Sequence, residues 1–254
     1  MEEERRDMPA GKTMLWIEVR NRLAALAEEK YLQFTSSLSG DASLLAFGVR
    51  VPLVRELAKE LLQGGQAEVY GEQLNEAAKK TPLYREERML YGMLLGKIRC
   101  TEAERIRRLR EFVPLLNSWE TCDVSVASHR FYQKNPQCYV PMLQEFLNSS
   151  RTFCVRYAIV VRMTYYLTDS CVEETLRILA QSYPQTYYID MAIAWALSTA
   201  YVKYPQKTWE LLQSGSIAPR IVKKAVQKCC DSFRISVGEK QRLRAFLQGR
   251  QTTD

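Results

Sequence analysis

Three stretches decide the fold: NSWETCDVSVA (117–127), SSRTFCVRYAIVV (149–161) and QTYYIDMAIAWAL (185–197). Each opens with small polar residues of the kind that start a helix, then runs into an apolar helical pattern. Their starts lie 32 and 36 residues apart. A period in that range marks a helical-repeat solenoid, in which each helix pair stacks on the next. Residue identity between the three is weak, so the expectation rests on layout. A solenoid offers one extended concave face, and a large ligand would lie there.

The rest of the chain agrees. Thr13 to about Phe34 carries Leu15, Trp16, Val19, Leu23 and Leu26 at helical spacing. Pro52 opens a helix that ends before Gly64-Gly65, and another runs from about Tyr84 to Ile98. Thr101 with Glu104, Ser170 with Glu173, and Ser236 with Glu239 read as capping boxes. Asn135-Pro136 and Tyr204-Pro205 open two further helices. About a dozen helices and no strand are expected. The predicted class is all-α, a HEAT-like helical-repeat solenoid over residues 13–248, with flexible tails at 1–12 and 249–254.

Composition narrows the function. The chain has 254 residues, 46% apolar and 26% charged, with only 11 Gly and 9 Pro, which favours long helices over many short strands. Its 36 Lys and Arg against 29 Asp and Glu give +7, so a polyanionic partner is compatible, as is a merely basic surface. A single histidine, His129, excludes any site that needs two. Seven cysteines without Cys-x-x-Cys spacing argue against a metal cluster, and most read as small core residues in a reducing compartment. The charged start MEEERRDMPAGK is unlike a signal peptide, and no apolar run reaches membrane-spanning length. The expectation is a cytoplasmic monomer without metal or cofactor.

Several residues stand out. Trp119 and Asp123, four apart, share one helix face, and Arg130 continues that stripe. Val124, Ala127 and Phe131 look like the buried side, so the carboxylate lies outside the core beside an indole. Arg156 sits in FCVRYAIVVRMTYYL, a helix apolar on nearly every side, where its charge needs a partner. Asp123, one repeat away, and a ligand phosphate both qualify. Trp195 points away from the stripe Ile189, Ala192, Ile193 and Ala196, and shares a face with Tyr188, as a ligand platform or a helix-packing residue would. Trp16 and Trp209 read as packing residues. Arg220, Lys223, Lys224 and Lys228 form one basic face, suited to phosphate or simply solvated.

With GVRVPLVREL (48–57) before them and IAPRIVKKAV (217–226) after them, SWETCD, VRYAI and YYIDMAIAWAL form an ordered set. From about Gly48 to Lys228 the chain resembles the DNA alkylation repair family of HEAT-like-repeat alkylpurine DNA glycosylases. The resemblance implies duplex DNA as partner, held mainly through its phosphate backbone. It implies Asp123 as the catalytic carboxylate, Trp119 and Trp195 around the lesion deoxyribose, and Arg156 at the backbone and beside Asp123. Arg130, Tyr188, Arg220, Lys223, Lys224 and Lys228 then serve DNA binding, with no metal or cofactor, in the cytoplasm or on the nucleoid. The segment SSLSGDASLLAFGV (36–49) is shorter and plainer than the family's corresponding helical segment. Two other functions therefore stay open: a DNA-binding paralogue that does not excise bases, and a repeat scaffold that binds protein.

Overall fold

The structure, a computed structural model, describes residues 14–39 and 44–251. The expected N-terminal tail and Thr13 lie outside the described residues, as does part of the segment 36–49. Among the described residues there are fourteen α-helices and no strand, so the protein is all-α as expected. They fall into two compact units, one ending at Ile98 and one beginning at Arg99.

In the first unit α1 (Leu15–Ala25), α2 (Glu29–Ser39), α3 (Val51–Gln63), α4 (Ala67–Ala78) and α5 (Arg85–Leu95) follow in order. α3 packs on α5, and α1 packs on α4. The single helix expected from Thr13 to Phe34 is two. The Glu28 N–H goes to the Gly48 carbonyl at 3.1 Å instead of continuing the helical ladder. A tertiary hydrogen bond thus overrides the local apolar pattern. Gly48 has φ +83, and a Cβ there would meet the Leu32 Cβ at 2.7 Å, so the position needs glycine for both its dihedral and its space. The fully buried Glu86 carboxylate accepts the backbone N–H groups of Phe47, Gly48 and Val49 and a bond from Arg85, which fastens this extended segment to α5.

The second unit comprises α6 (Glu102–Phe112), α7 (Trp119–Ser128), α8 (Val140–Leu147), α9 (Thr152–Tyr165), α10 (Val172–Leu179), α11 (Tyr187–Lys203), α12 (Pro205–Gln213), α13 (Pro219–Asp231) and α14 (Val237–Gln251). α7 packs on α9, α9 on α11 and α11 on α13, while α8, α10, α12 and α14 back onto that series. The four inner helices start 33, 35 and 32 residues apart, which is the repeat layout expected from sequence. The boxes expected at Thr101 and Ser236 form only by half: the Glu104 carboxylate goes to Arg107 and Arg108, and that of Glu239 to Tyr201 and Arg242. Thr101 and Ser236 themselves cap, accepting the N–H of Glu104 and of Glu239. Ser170 does not: α10 begins at Val172 with Cys171 as its cap, and the Ser170 hydroxyl meets Thr168 and Cys171 instead. Pro136 opens a 3-10 turn, Pro136–Tyr139, that leads into α8. Among the described residues no helix is long and apolar enough to cross a membrane.

Cys122, Cys154 and Cys229 are buried, Cys100, Cys171 and Cys230 half-buried, and Cys138 exposed; all seven are free thiols. Fewer are core residues than the sequence led us to expect, because the others fall at helix ends and turns. Trp209 is a packing residue: it is buried, with the Arg242 guanidinium 4.0 Å from its ring centroid and Phe246 at 5.1 Å.

Candidate active site and nucleic-acid interface

α7 starts where the Ser118 hydroxyl accepts the Thr121 N–H at 3.2 Å, with the Thr121 side chain closing the box back to Ser118. This fixes Trp119 as the first helical residue and sets Asp123 one turn later. Both are half-buried. The buried side of α7 is not the one expected. Cys122, Ser125 and Val126 face inward, while Val124 is half-buried and Ala127 exposed. Polar residues line that inner side because they are satisfied locally, the Ser125 hydroxyl donating to the Thr121 carbonyl at 2.6 Å. Hydrophobicity alone therefore pointed to the wrong face. Phe131 is buried, but in a 3-10 turn beyond the helix.

Across from α7, α9 is buried without a break from Cys154 to Met163. Arg156 lies in that run, 5% exposed. Its Nε donates to Asp123 Oδ1 at 3.1 Å and its Nη2 to Oδ2 at 2.8 Å, while Nη1 donates to the Tyr188 carbonyl at 2.9 Å. One guanidinium thus ties α7, α9 and α11 together. The fork geometry orients both carboxylate oxygens of Asp123, which keeps a side-chain exposure of 18%. Of the two partners open for Arg156, the structure supplies the carboxylate. Burial, with the Asp123 charge beside it, pushes the thiol of Cys122 well above its ordinary value.

Beneath this pair lies a buried polar cluster. His129, which ends α7, meets the Tyr157 hydroxyl through Nδ1 at 2.7 Å, and the Tyr132 hydroxyl lies 3.1 Å from the same oxygen. All three are fully buried, and burial raises the phenols of Tyr132 and Tyr157 well above their ordinary range. α7 is therefore pinned to α9 twice, at Asp123 and at its C-terminal end.

α11 begins with the Thr186 hydroxyl accepting the Ile189 N–H. Ile189, Ala192, Ile193 and Ala196 are buried as expected, and Trp195 is 37% exposed. Tyr188 is half-buried, between Phe153 at 5.1 Å and Tyr187 at 5.4 Å between ring centroids. Tyr187 is 63% exposed, with the Lys224 ammonium 5.3 Å from its ring.

A second carboxylate–guanidinium pair escaped the sequence reading. Asp190 accepts from Arg220 Nε at 2.8 Å and Nη2 at 3.2 Å, linking α11 to α13 as Asp123 links α7 to α9. The signal was available: Asp190 is an isolated charge in the apolar run YYIDMAIAWAL, the same reasoning that singled out Arg156. Of the residues expected on the basic face, Arg220 is thus paired to Asp190 and Lys224 lies over Tyr187. Lys223 is exposed, and Lys228 is half-buried two turns along from Arg220. Arg130 is exposed in the turn after α7, so it does not extend the Trp119–Asp123 stripe. Among the described residues, no three His, Cys, Asp or Glu side chains cluster as metal ligands.

Comparison with curated proteins finds no match. The sequence model of one family, described as "DNA alkylation repair enzyme", matches residues 19–228, a span that contains Trp119, Asp123, Arg156, Trp195 and the basic face of α13. The chain belongs to the family of DNA alkylation repair enzymes.

Proposed function

We propose that the protein is a DNA glycosylase that hydrolyses the N-glycosidic bond of cationic N-alkylated purines, such as 3-methyladenine or 7-methylguanine, in duplex DNA. The observation that carries this reading is the carboxylate of Asp123, held at both oxygens by a buried arginine yet still open to solvent, one turn from Trp119.

A purine alkylated at a ring nitrogen is already cationic. When the C1′–N bond breaks, its electron pair goes to the base, which leaves neutral. Positive charge then builds on the sugar, as in glycoside hydrolysis. Asp123 offers a fixed negative charge to that centre, and its forked hold by Arg156 means no reorientation is needed in the transition state. The indoles of Trp119 and Trp195 offer aromatic faces to the same charge. Each oxygen of Asp123 takes one bond from Arg156, which leaves a lone pair to orient water. The water oxygen bonds to C1′, and its proton passes to the Asp123 carboxylate and from there to solvent. The chemistry so drawn uses only these side chains and water.

Duplex DNA is held through phosphates by Lys223, Lys228, Arg130 and the outward part of Arg220, with Tyr188 close to the site. The test is release of 7-methylguanine from duplex DNA, with binding measured in parallel. Release above the spontaneous rate, lost on Asp123→Asn, supports the reading. DNA binding without release makes the protein a non-excising member of the family. Neither binding nor release makes it a scaffold for protein.

A further inference from the structure

Two residues in the first turn of α11 are held from opposite sides. The Tyr188 carbonyl accepts from Arg156 Nη1 of α9 at 2.9 Å. The Asp190 carboxylate accepts from Arg220 Nε and Nη2 of α13 at 2.8 and 3.2 Å. Two positions apart on a helix, they stand about 200° from each other around its axis. Polar links therefore run in series from α7 to α13: Asp123 to Arg156, Arg156 to Tyr188, and Asp190 to Arg220. Asp190 is 8% exposed, and the base-release chemistry drawn from Asp123 leaves it without a task.

We propose that Asp190 is a positioning residue for base release, a role that rests on Asp123 being the catalytic carboxylate. With Arg220 it sets the first turn of α11, and that turn sets the angle at which Arg156 presents its fork to Asp123. The fork fixes two guanidinium nitrogens against one carboxylate but leaves the pair free to pivot together. The third bond, from Nη1 to the Tyr188 carbonyl, removes that freedom. A main-chain carbonyl is only as fixed as its own turn. The side-chain cap of this turn is weak, because the Ile189 N–H reaches the Thr186 hydroxyl only at 3.4 Å, long for a hydrogen bond. The two-bonded grip of Arg220 on Asp190 is the stronger polar hold. An apolar contact of the same volume would pack α11 on α13 as well or better. What the fork adds is a fixed direction.

The experiment measures single-turnover release of 7-methylguanine from duplex DNA at saturating protein, with duplex affinity alongside. The proteins are wild type, Asp190→Ala, Arg156→Lys, the double variant and Thr175→Val. Lysine keeps a cation beside Asp123 but has one nitrogen, so it cannot fork onto the carboxylate and also hold Tyr188. Thr175 is the control: it is fully buried on α10 and its hydroxyl donates to the Tyr166 carbonyl at 3.2 Å, so its loss loosens the protein away from these links. Circular dichroism checks that each variant is folded at the assay temperature. Asp190→Ala should slow release about tenfold with duplex affinity maintained. Thr175→Val should release at the wild-type rate, and Asp190→Ala should add nothing in the Arg156→Lys background. An unchanged rate in Asp190→Ala overturns the proposal. So does a slowing that Thr175→Val shares, or one that is as large in the Arg156→Lys background, since the effect then does not pass through Arg156. Absence of release by the wild type fails the glycosylase reading instead, and denaturation of the same variants then decides the link. Non-additive stability losses for Asp190→Ala and Arg156→Lys support it, and additive losses overturn it.

Discussion

Arg156 grips both carboxylate oxygens of Asp123, at 3.1 and 2.8 Å, while being itself almost wholly buried. The pair is asymmetric: the guanidinium is locked between three helices, and the carboxylate keeps the exposed end. Breaking it from the arginine side therefore leaves a half-buried charge without its counter-ion. Arg156→Ala should cost about 3 kcal/mol of stability, well beyond an exposed substitution such as Arg177→Ala. Chemical denaturation of Arg156→Ala, Asp123→Asn and the double variant should give strongly non-additive energies, because the two side chains are direct partners. Additive losses would mean the two residues act independently.

Asp123→Asn should abolish base release, since an amide offers no negative charge to the sugar centre. The substitution is close to isosteric but not harmless. The amide nitrogen would face a guanidinium donor, so a loss of about 1 to 3 kcal/mol in stability is expected. If duplex DNA lies along this face as proposed, affinity for undamaged duplex should hold or rise slightly, because a negative charge is removed from it. Release at the wild-type rate by a folded Asn variant would take Asp123 out of the mechanism.

Tyr157→Phe tests the cluster below the pair. The hydroxyl meets both His129 and Tyr132, and all three side chains are fully buried. Its removal takes one hydrogen bond from each of two buried side chains, at a cost of about 1 to 3 kcal/mol. A thermal melt indistinguishable from wild type would show that water or another group substitutes for it.

The thiols give a check on burial and charge together. Thiolate is the reactive form, so a raised value keeps a cysteine inert at pH 8. Cys122 is fully buried and pushed well up by burial beside Asp123, and burial pushes Cys229 up to about 12. Cys138 is exposed. Iodoacetamide at pH 8, read by peptide mass spectrometry, should label Cys138 first and leave Cys122 and Cys229 unmodified until the protein is denatured. Early labelling of Cys122 would mean that α7 opens from α9 in the native protein.

Much of this was legible in the chain. The all-α class and the repeat spacing follow from helical periodicity, which is a local property. Arg156 needed a partner because a charge in an apolar helix always does. Three features were hidden, each for a physical reason. The break before Glu29 is made by a bond from Glu28 to Gly48, twenty residues away. The inner face of α7 is polar, because Ser125 satisfies its hydroxyl on its own helix. The state of the basic face depends on Asp190 and Tyr187 of the neighbouring helix, so spacing along α13 could not show that Arg220 and Lys224 were engaged.

That engagement separates two arginine and lysine roles that look alike in sequence. Lys223 is exposed, so its loss should act on DNA alone. In Lys223→Gln the slope of log affinity against log salt should become shallower by about one unit, with unchanged melting. Arg220→Gln should do more. On the proposed DNA-binding reading it removes a phosphate donor, and it also leaves Asp190, 8% exposed, without the two bonds it now accepts. Stability should then fall as well as affinity, by about 2 kcal/mol if Asp190 stays charged. Asp190→Asn with Arg220→Gln should recover part of that stability, because the unpaired charge is gone, but none of the salt slope, because the phosphate contact is still missing. Salt titrations by fluorescence anisotropy and denaturant melts on the same four proteins separate these outcomes. A salt slope unchanged in both single variants would put the DNA elsewhere than on α13. Wild-type stability in Arg220→Gln would mean that the Asp190 pair adds nothing to the packing of α11 on α13.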